Sequence, residues 1–126
     1  MLQSPDVQIS CVIVCDPNTS ALTIPITINT KDESIETIAL IDCGAEGTFI
    51  HKELVKQHQL PTYALNKPII ARNMDNTINK EGVITRYTKL NLELNITEER
   101  LLIINTGKSP IILGLPWLKQ VNSQID

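Results

Sequence analysis

From Leu22 to Asn29 the chain alternates without a break: Leu22, Ile24, Ile26 and Ile28 are apolar, and Thr23, Pro25, Thr27 and Asn29 are not. A period of two belongs to a strand with one buried face; a helix would repeat its apolar positions every three or four residues. Pro25 has no N–H to give to a ladder, so this strand is expected at an edge or with that position turned to solvent. Lys31-Asp32-Glu33-Ser34 reads as a polar hairpin turn. Ile35 to Ile41 reads as the returning strand, and it ends on Asp42.

The same pattern recurs along the chain. Gln8 to Cys15 is strand-like, followed by the turn residues Asp16-Pro17-Asn18. Ile69 to Met74 and Thr77 to Ile84 flank Asp75-Asn76, which fits a two-residue hairpin turn. The polar residues Arg72, Asn73, Asn79, Lys80 and Glu81 on its arms predict a hairpin that projects. Leu90 to Ile96 alternates again. Leu101 to Ile104 and Ile111 to Leu113 are continuous apolar runs, expected to be buried on both faces. Ile50, Leu54, Val55 and His58 predict a short helix over Phe49 to His58, with Thr48 as a possible N-cap, ending before Pro61. Pro116 predicts a second short helix from Trp117 to about Gln120. Some eight short strands and two short helices in 126 residues make a single mostly-β unit, with strands too close together for βαβ units.

Ala39-Leu40-Ile41-Asp42-Cys43-Gly44-Ala45 is where chemistry is expected. A carboxylate at the end of a buried strand is costly unless it is paired, solvated or protonated, and such surroundings can tune it as an acid or base. Gly44 lets the backbone turn sharply and a ligand approach closely. Taken alone, the same residues also read as an ordinary Asp in a turn after a strand.

Charge and composition narrow the classes. The net charge is −3 and aromatics are 3%, which argues against nucleic acid or an anionic membrane surface as partner. No apolar run is long enough for a transmembrane helix, and no secretory leader is visible, so the sequons at Asn18 and Asn95 are expected to be unmodified. The three cysteines, Cys11, Cys15 and Cys43, read as reduced thiols. Cys11 and Cys15 on one strand would lie about 13 Å apart, too far to bridge. His51 and His58 do not share ligand spacing with a cysteine pair, so neither a metal nor another cofactor is expected.

Three features stand in order: an apolar-apolar-Asp-x-Gly-Ala turn, a mid-chain hairpin, and an apolar-apolar-Gly run before a short C-terminal helix. Together they resemble the retropepsins, the single-domain aspartic proteases of retroviruses and LTR retrotransposons. The details resemble the gypsy class: Ala39 to Ala45, the Thr48-Phe49-Ile50 segment, and Ile111-Ile112-Leu113-Gly114-Leu115-Pro116-Trp117-Leu118. The resemblance covers residues 22–122. It implies a closed β-barrel of the acid protease fold, with a flap hairpin. Residues 1–21 are then an N-terminal extension with a strand, and 123–126 begin a linker to the next polyprotein segment. Met1 and Asp126 read as processing boundaries.

The resemblance further implies that Asp42 is the catalytic carboxylate. Cys43, Gly44 and Ala45 form the active-site loop, with Gly44 on the substrate main chain. Met74, Asp75, Asn76 and Thr77 form the flap tip, and Leu40 and Ile112 line side-chain pockets. Two carboxylates are needed and the chain has one Asp-x-Gly turn, so the implied assembly is a homodimer acting on a peptide or polyprotein. The implied location is cytoplasmic, within the cell or a virus-like particle. Cys43 departs from the family, which usually has Thr or Ser there to hydrogen-bond across the dimer; a thiol is a weak donor and acceptor. This leaves an idle dimeric scaffold or peptide-binding module as an alternative. A cysteine hydrolase built from Cys43 with His51 or His58 lacks a third, orienting group.

Overall fold

The structure, a computed structural model, describes residues 9–12, 22–30, 32–42, 45–72, 77–92 and 98–114. In chain order the elements are β1 (Ile9–Val12), β2 (Leu22–Asn29), β3 (Ser34–Ile41), β4 (Thr48–His51), α1 (Lys52–Gln57), β5 (Tyr63–Arg72), β6 (Ile78–Leu92), β7 (Glu98–Ile104) and β8 (Ile111–Leu113). Among the described residues eight strands join one sheet in the order β1-β5-β6-β2-β3-β8-β4-β7, and β7 also pairs with β6. The ladder from β6 through β2, β3, β8, β4 and β7 therefore returns to β6. Closing the ladder removes strand edges that would otherwise be open to other chains.

The alternation of β2 is realised in its second half, while Ile24 is half-buried and Leu22 is 62% exposed. It pairs with β3 along its whole length, from Leu22↔Ile41 to Asn29↔Ser34, with Ile26 and Ile28 buried. Its other side meets β6 only at Ile28 and Asn29. Pro25 thus lies on the stretch where a missing N–H costs no ladder bond to β6. In the turn between the two strands, the Thr30 hydroxyl accepts from the N–H groups of Asp32 and Glu33 and donates to the Glu33 carbonyl.

Successive side chains of a strand face opposite ways, and the buried residues divide accordingly. Ile26, Ile28, Ile35, Ala39, Ile50, Leu90, Leu92, Leu101, Ile111 and Leu113 pack in one cluster, which Val55 and Leu60 join. Ala45, Phe49, Ile69, Ala71, Ile84, Leu102, Ile104 and Ile112 pack in a second, with Leu40, Leu65 and Tyr87 against it. Neighbours such as Phe49 and Ile50, Leu101 and Leu102, or Ile111 and Ile112 fall in different clusters. The strands that carry them are buried on both faces, as the unbroken apolar runs of β7 and β8 predict.

Two expectations are corrected. Thr48 to His51 form a strand, and the helix occupies only Lys52–Gln57. Phe49 and Ile50 are both fully buried, on opposite sides, and β4 is held between β7 and β8. This two-sided ladder outweighs the helical spacing. His51, not Thr48, caps the helix: its Nδ1 accepts from the Glu53 N–H at 3.1 Å. His58 ends the helix and faces Glu33 at 3.4 Å.

The second correction concerns the hairpin. The expected arms form, but their ladder is not regular: Arg72 pairs with Ile78. The register then shifts, with Ile70 opposite Val83, so β6 carries extra residues there. Gly82 sits in this irregularity at φ +74°, which glycine adopts freely. Residues 73–76, and the expected helix after Pro116, lie outside the described residues.

Candidate functional site

The chain enters the site at Asp42 because of how β8 is inserted. β3 and β4 are consecutive in sequence but not adjacent in the sheet; β8 lies between them, parallel to β3 and antiparallel to β4. The connection from Asp42 to Gly47 must therefore pass over the end of β8. Its start is pinned there, where the Asp42 N–H donates to the Leu113 carbonyl at 3.0 Å. The Ala45 N–H then donates back to the Asp42 carbonyl at 3.0 Å, which closes a tight turn.

Gly114 is what lets this crossing fit. A Cβ there would lie 2.1 Å from the Gly47 carbonyl oxygen and 2.6 Å from that of Ala45. Backbone atoms cannot yield as the end of a side chain can, so only glycine admits the loop at this height. The apolar run Ile111-Ile112-Leu113 shows its strand openly in the sequence. The steric demand on Gly114 does not show, because it depends on which loop crosses above it.

Asp42 itself is buried, with 6% of its surface exposed. Ala45 is fully buried in the second cluster, as its place beside the Asp requires. Leu40 and Ile112 are register partners across β3 and β8, and both pack on that same cluster. Ile112 is buried, whereas Leu40 keeps partial exposure. The base of the β5–β6 hairpin contributes Ile69, Ala71 and Ile84 to the cluster. Asp42, Ala45, Leu40 and Ile112 are thus gathered at one end of one sheet face, and the hairpin base packs on that face.

Farther along the hairpin the surface opens. Thr77 is exposed, and Ile78 and Val83 are 61% and 53% exposed. Of the other residues expected at the site, Cys43, Gly44, Met74, Asp75 and Asn76 lie outside the described residues. His51 and His58 are at the two ends of α1, where one caps the helix and the other faces Glu33.

This arrangement can hold a carboxylate at a fixed height beside an apolar wall, with a hairpin at the far side. No curated protein and no solved structure matches the chain. A family model does: the PEG10/RTL1 protease domain matches residues 38–126, from the second half of β3 onward. That span contains Asp42, the crossing over β8, the hairpin and Gly114, and on it the chain belongs to the PEG10/RTL1 protease domain family, a retropepsin-like, gypsy-derived protease domain.

Proposed function

We propose that the protein is an aspartic endopeptidase that works as a homodimer, each copy supplying one Asp42. The placement of Asp42 carries this reading. It is buried, pinned through its N–H to Leu113, and set on the face that the hairpin base packs against. Two carboxylates about 3 Å apart cannot both ionise, so they share one proton. The ionised member takes a proton from water as it attacks the scissile carbonyl carbon. The protonated member gives its proton to the developing oxyanion. The paired carboxylate has to come from a second copy related by a two-fold axis.

The β5–β6 hairpin acts as the flap, holding an extended peptide by strand-like hydrogen bonds and excluding water. Leu40 and Ile112 line apolar side-chain pockets. The substrate is a polyprotein, cut within the cell or inside a virus-like particle. Cleavage should follow a bell-shaped pH profile on the acidic side of neutral, whose limbs belong to the pair. Cys43, in place of the usual hydroxyl, supports the second reading, an idle dimeric domain that binds peptide without cutting it. Incubation with the flanking polyprotein separates the two. Wild type should cleave and Asp42→Asn should not, while both fold and dimerise. Binding without cleavage by wild type would favour the idle domain.

A further inference from the structure

Away from Asp42, on β5, β6 and β7, four side chains form an array that the protease chemistry does not use. Tyr63 and Tyr87 are register partners across β5 and β6, with ring centroids 5.5 Å apart. Lys89 and Arg100 are register partners across β6 and β7. The Lys89 ammonium lies 5.9 Å from the Tyr63 ring centre, and the Arg100 guanidinium lies 5.6 Å from that of Tyr87. Among the described residues neither cation has an ion-pair partner. Like charges placed directly opposite across a ladder repel, and the tyrosine faces offset this only partly.

A cavity of about 340 Å³ opens beside the array, lined by Leu65, Asn66, Lys67, Ile69, Tyr87 and Arg100. It lies against the stretch of β5 between Ala64 and Ile69 where the register with β6 is broken. Part of its lining is aliphatic and aromatic. The rest offers two cations and an amide, and no carboxylate is among its lining residues. This is the composition of a small-ligand site, an apolar body with a few convergent polar groups. Its residues Leu65, Ile69 and Tyr87 pack on the same apolar cluster as Ala45 and Ile112, but Asp42, Leu40 and Ile112 do not line it.

We propose that this cavity binds a phosphate monoester with a small apolar or aromatic body. The dianion sits against the two cations of the lining, Arg100 and Lys67, and Lys89, which faces Arg100 across the ladder from beyond the lining, adds a third charge whose repulsion with Arg100 the dianion relieves through charge-assisted hydrogen bonds. The body rests on Leu65, Ile69 and the Tyr87 ring. A dianion suits the site better than a single carboxylate, because two facing cations leave one charge unmatched by a monoanion. The proposal does not depend on Asp42 being catalytic.

The test is a titration of the whole chain with phenyl phosphate, inorganic phosphate and benzoate at constant ionic strength, read by calorimetry and by amide shifts. Phenyl phosphate should saturate at the lowest concentration and move amides of β5, β6 and β7. Lys89→Gln and Arg100→Gln should each weaken it about tenfold, and the double variant should abolish it. Without ligand, Lys89→Gln should melt higher than wild type, because the facing charges are gone. This readout also verifies that the variant folds. A nucleoside monophosphate and a phosphotyrosine peptide, compared in the same assay, distinguish a free metabolite from a phosphorylated side chain. Whichever saturates first, the double variant must lose it. Equal binding by wild type and double variant, or no saturable binding by any phosphate, would overturn the proposal.

Discussion

The two faces of the one sheet are built from the same strands and do different work. One face, with Ile26, Ile28, Leu92, Leu101, Ile111 and Leu113, is sealed by its own strands and by Val55 and Leu60. The other, with Phe49, Leu102 and Ile112, is covered in part by the hairpin base, and it has Ala45, and with it Asp42, at its end. Neighbouring residues of a strand, Ile111 and Ile112 for example, thus answer to different demands. The first face fixes the frame; the second gives part of its apolar surface to the proposed site. Substitutions on the two faces should fail in different ways.

The largest effect is expected where the faces meet, at Gly114. Gly114→Ala forces a Cβ into the Gly47 and Ala45 carbonyls. The expected loss is on the order of 4 kcal/mol, the upper end for one substitution, and cleavage goes with it. Chemical denaturation measures the first and peptide cleavage the second. An alanine variant of wild-type stability would mean that the loop does not cross where it is placed here.

Next come matched truncations. Leu101 is fully buried on the sealed face, and Leu101→Ala should cost about 3 kcal/mol in transfer and cavity terms. The surviving folded fraction should keep its KM. Ile112→Ala, on the other face, should destabilise less and raise KM for substrates with large apolar side chains. If both variants shift KM equally, the division of labour between the faces is wrong.

Parts of this division are open to reading in sequence and parts are not. The alternation of Leu22 to Ile28 marks a strand without any partner, and its buried side holds from Ile24 to Ile28 but not at Leu22, which is exposed. The continuous runs Leu101–Ile104 and Ile111–Leu113 declare burial on both faces. Thr48 to His51 misleads, because Ile50 and Leu54 satisfy a helical period by chance, and the ladders to β7 and β8 that decide the matter are distant in sequence. The Asp42 turn is legible as a motif, yet its height above Gly114 is not. The facing cations at Lys89 and Arg100 are invisible without the register, since eleven positions separate them in sequence.

A smaller effect of opposite sign is expected at Thr88. Its side chain is fully buried, and its hydroxyl has no hydrogen-bond partner among the described residues. Thr88→Val keeps the shape and removes the unsatisfied group, and should stabilise by about 1 kcal/mol. A destabilised valine variant would reveal a partner for that hydroxyl. A change of similar size per copy is Cys43→Ser. It should tighten the dimer, since a neutral hydrogen bond contributes about 0.5–1.5 kcal/mol net in each copy. Sedimentation in reductant measures this. A serine variant that dimerises but no longer cleaves would assign the thiol a chemical role.

The claim that two copies of Asp42 make one site is tested most directly by mixing. Wild type and Asp42→Asn are combined at a fixed total concentration, allowed to exchange subunits, and assayed for peptide cleavage. If both carboxylates are required, activity follows the square of the wild-type fraction, about one quarter at an equal mixture for random two-fold pairing. A linear fall, to about one half in that mixture, is what independent subunits give, and it would contradict a shared dyad.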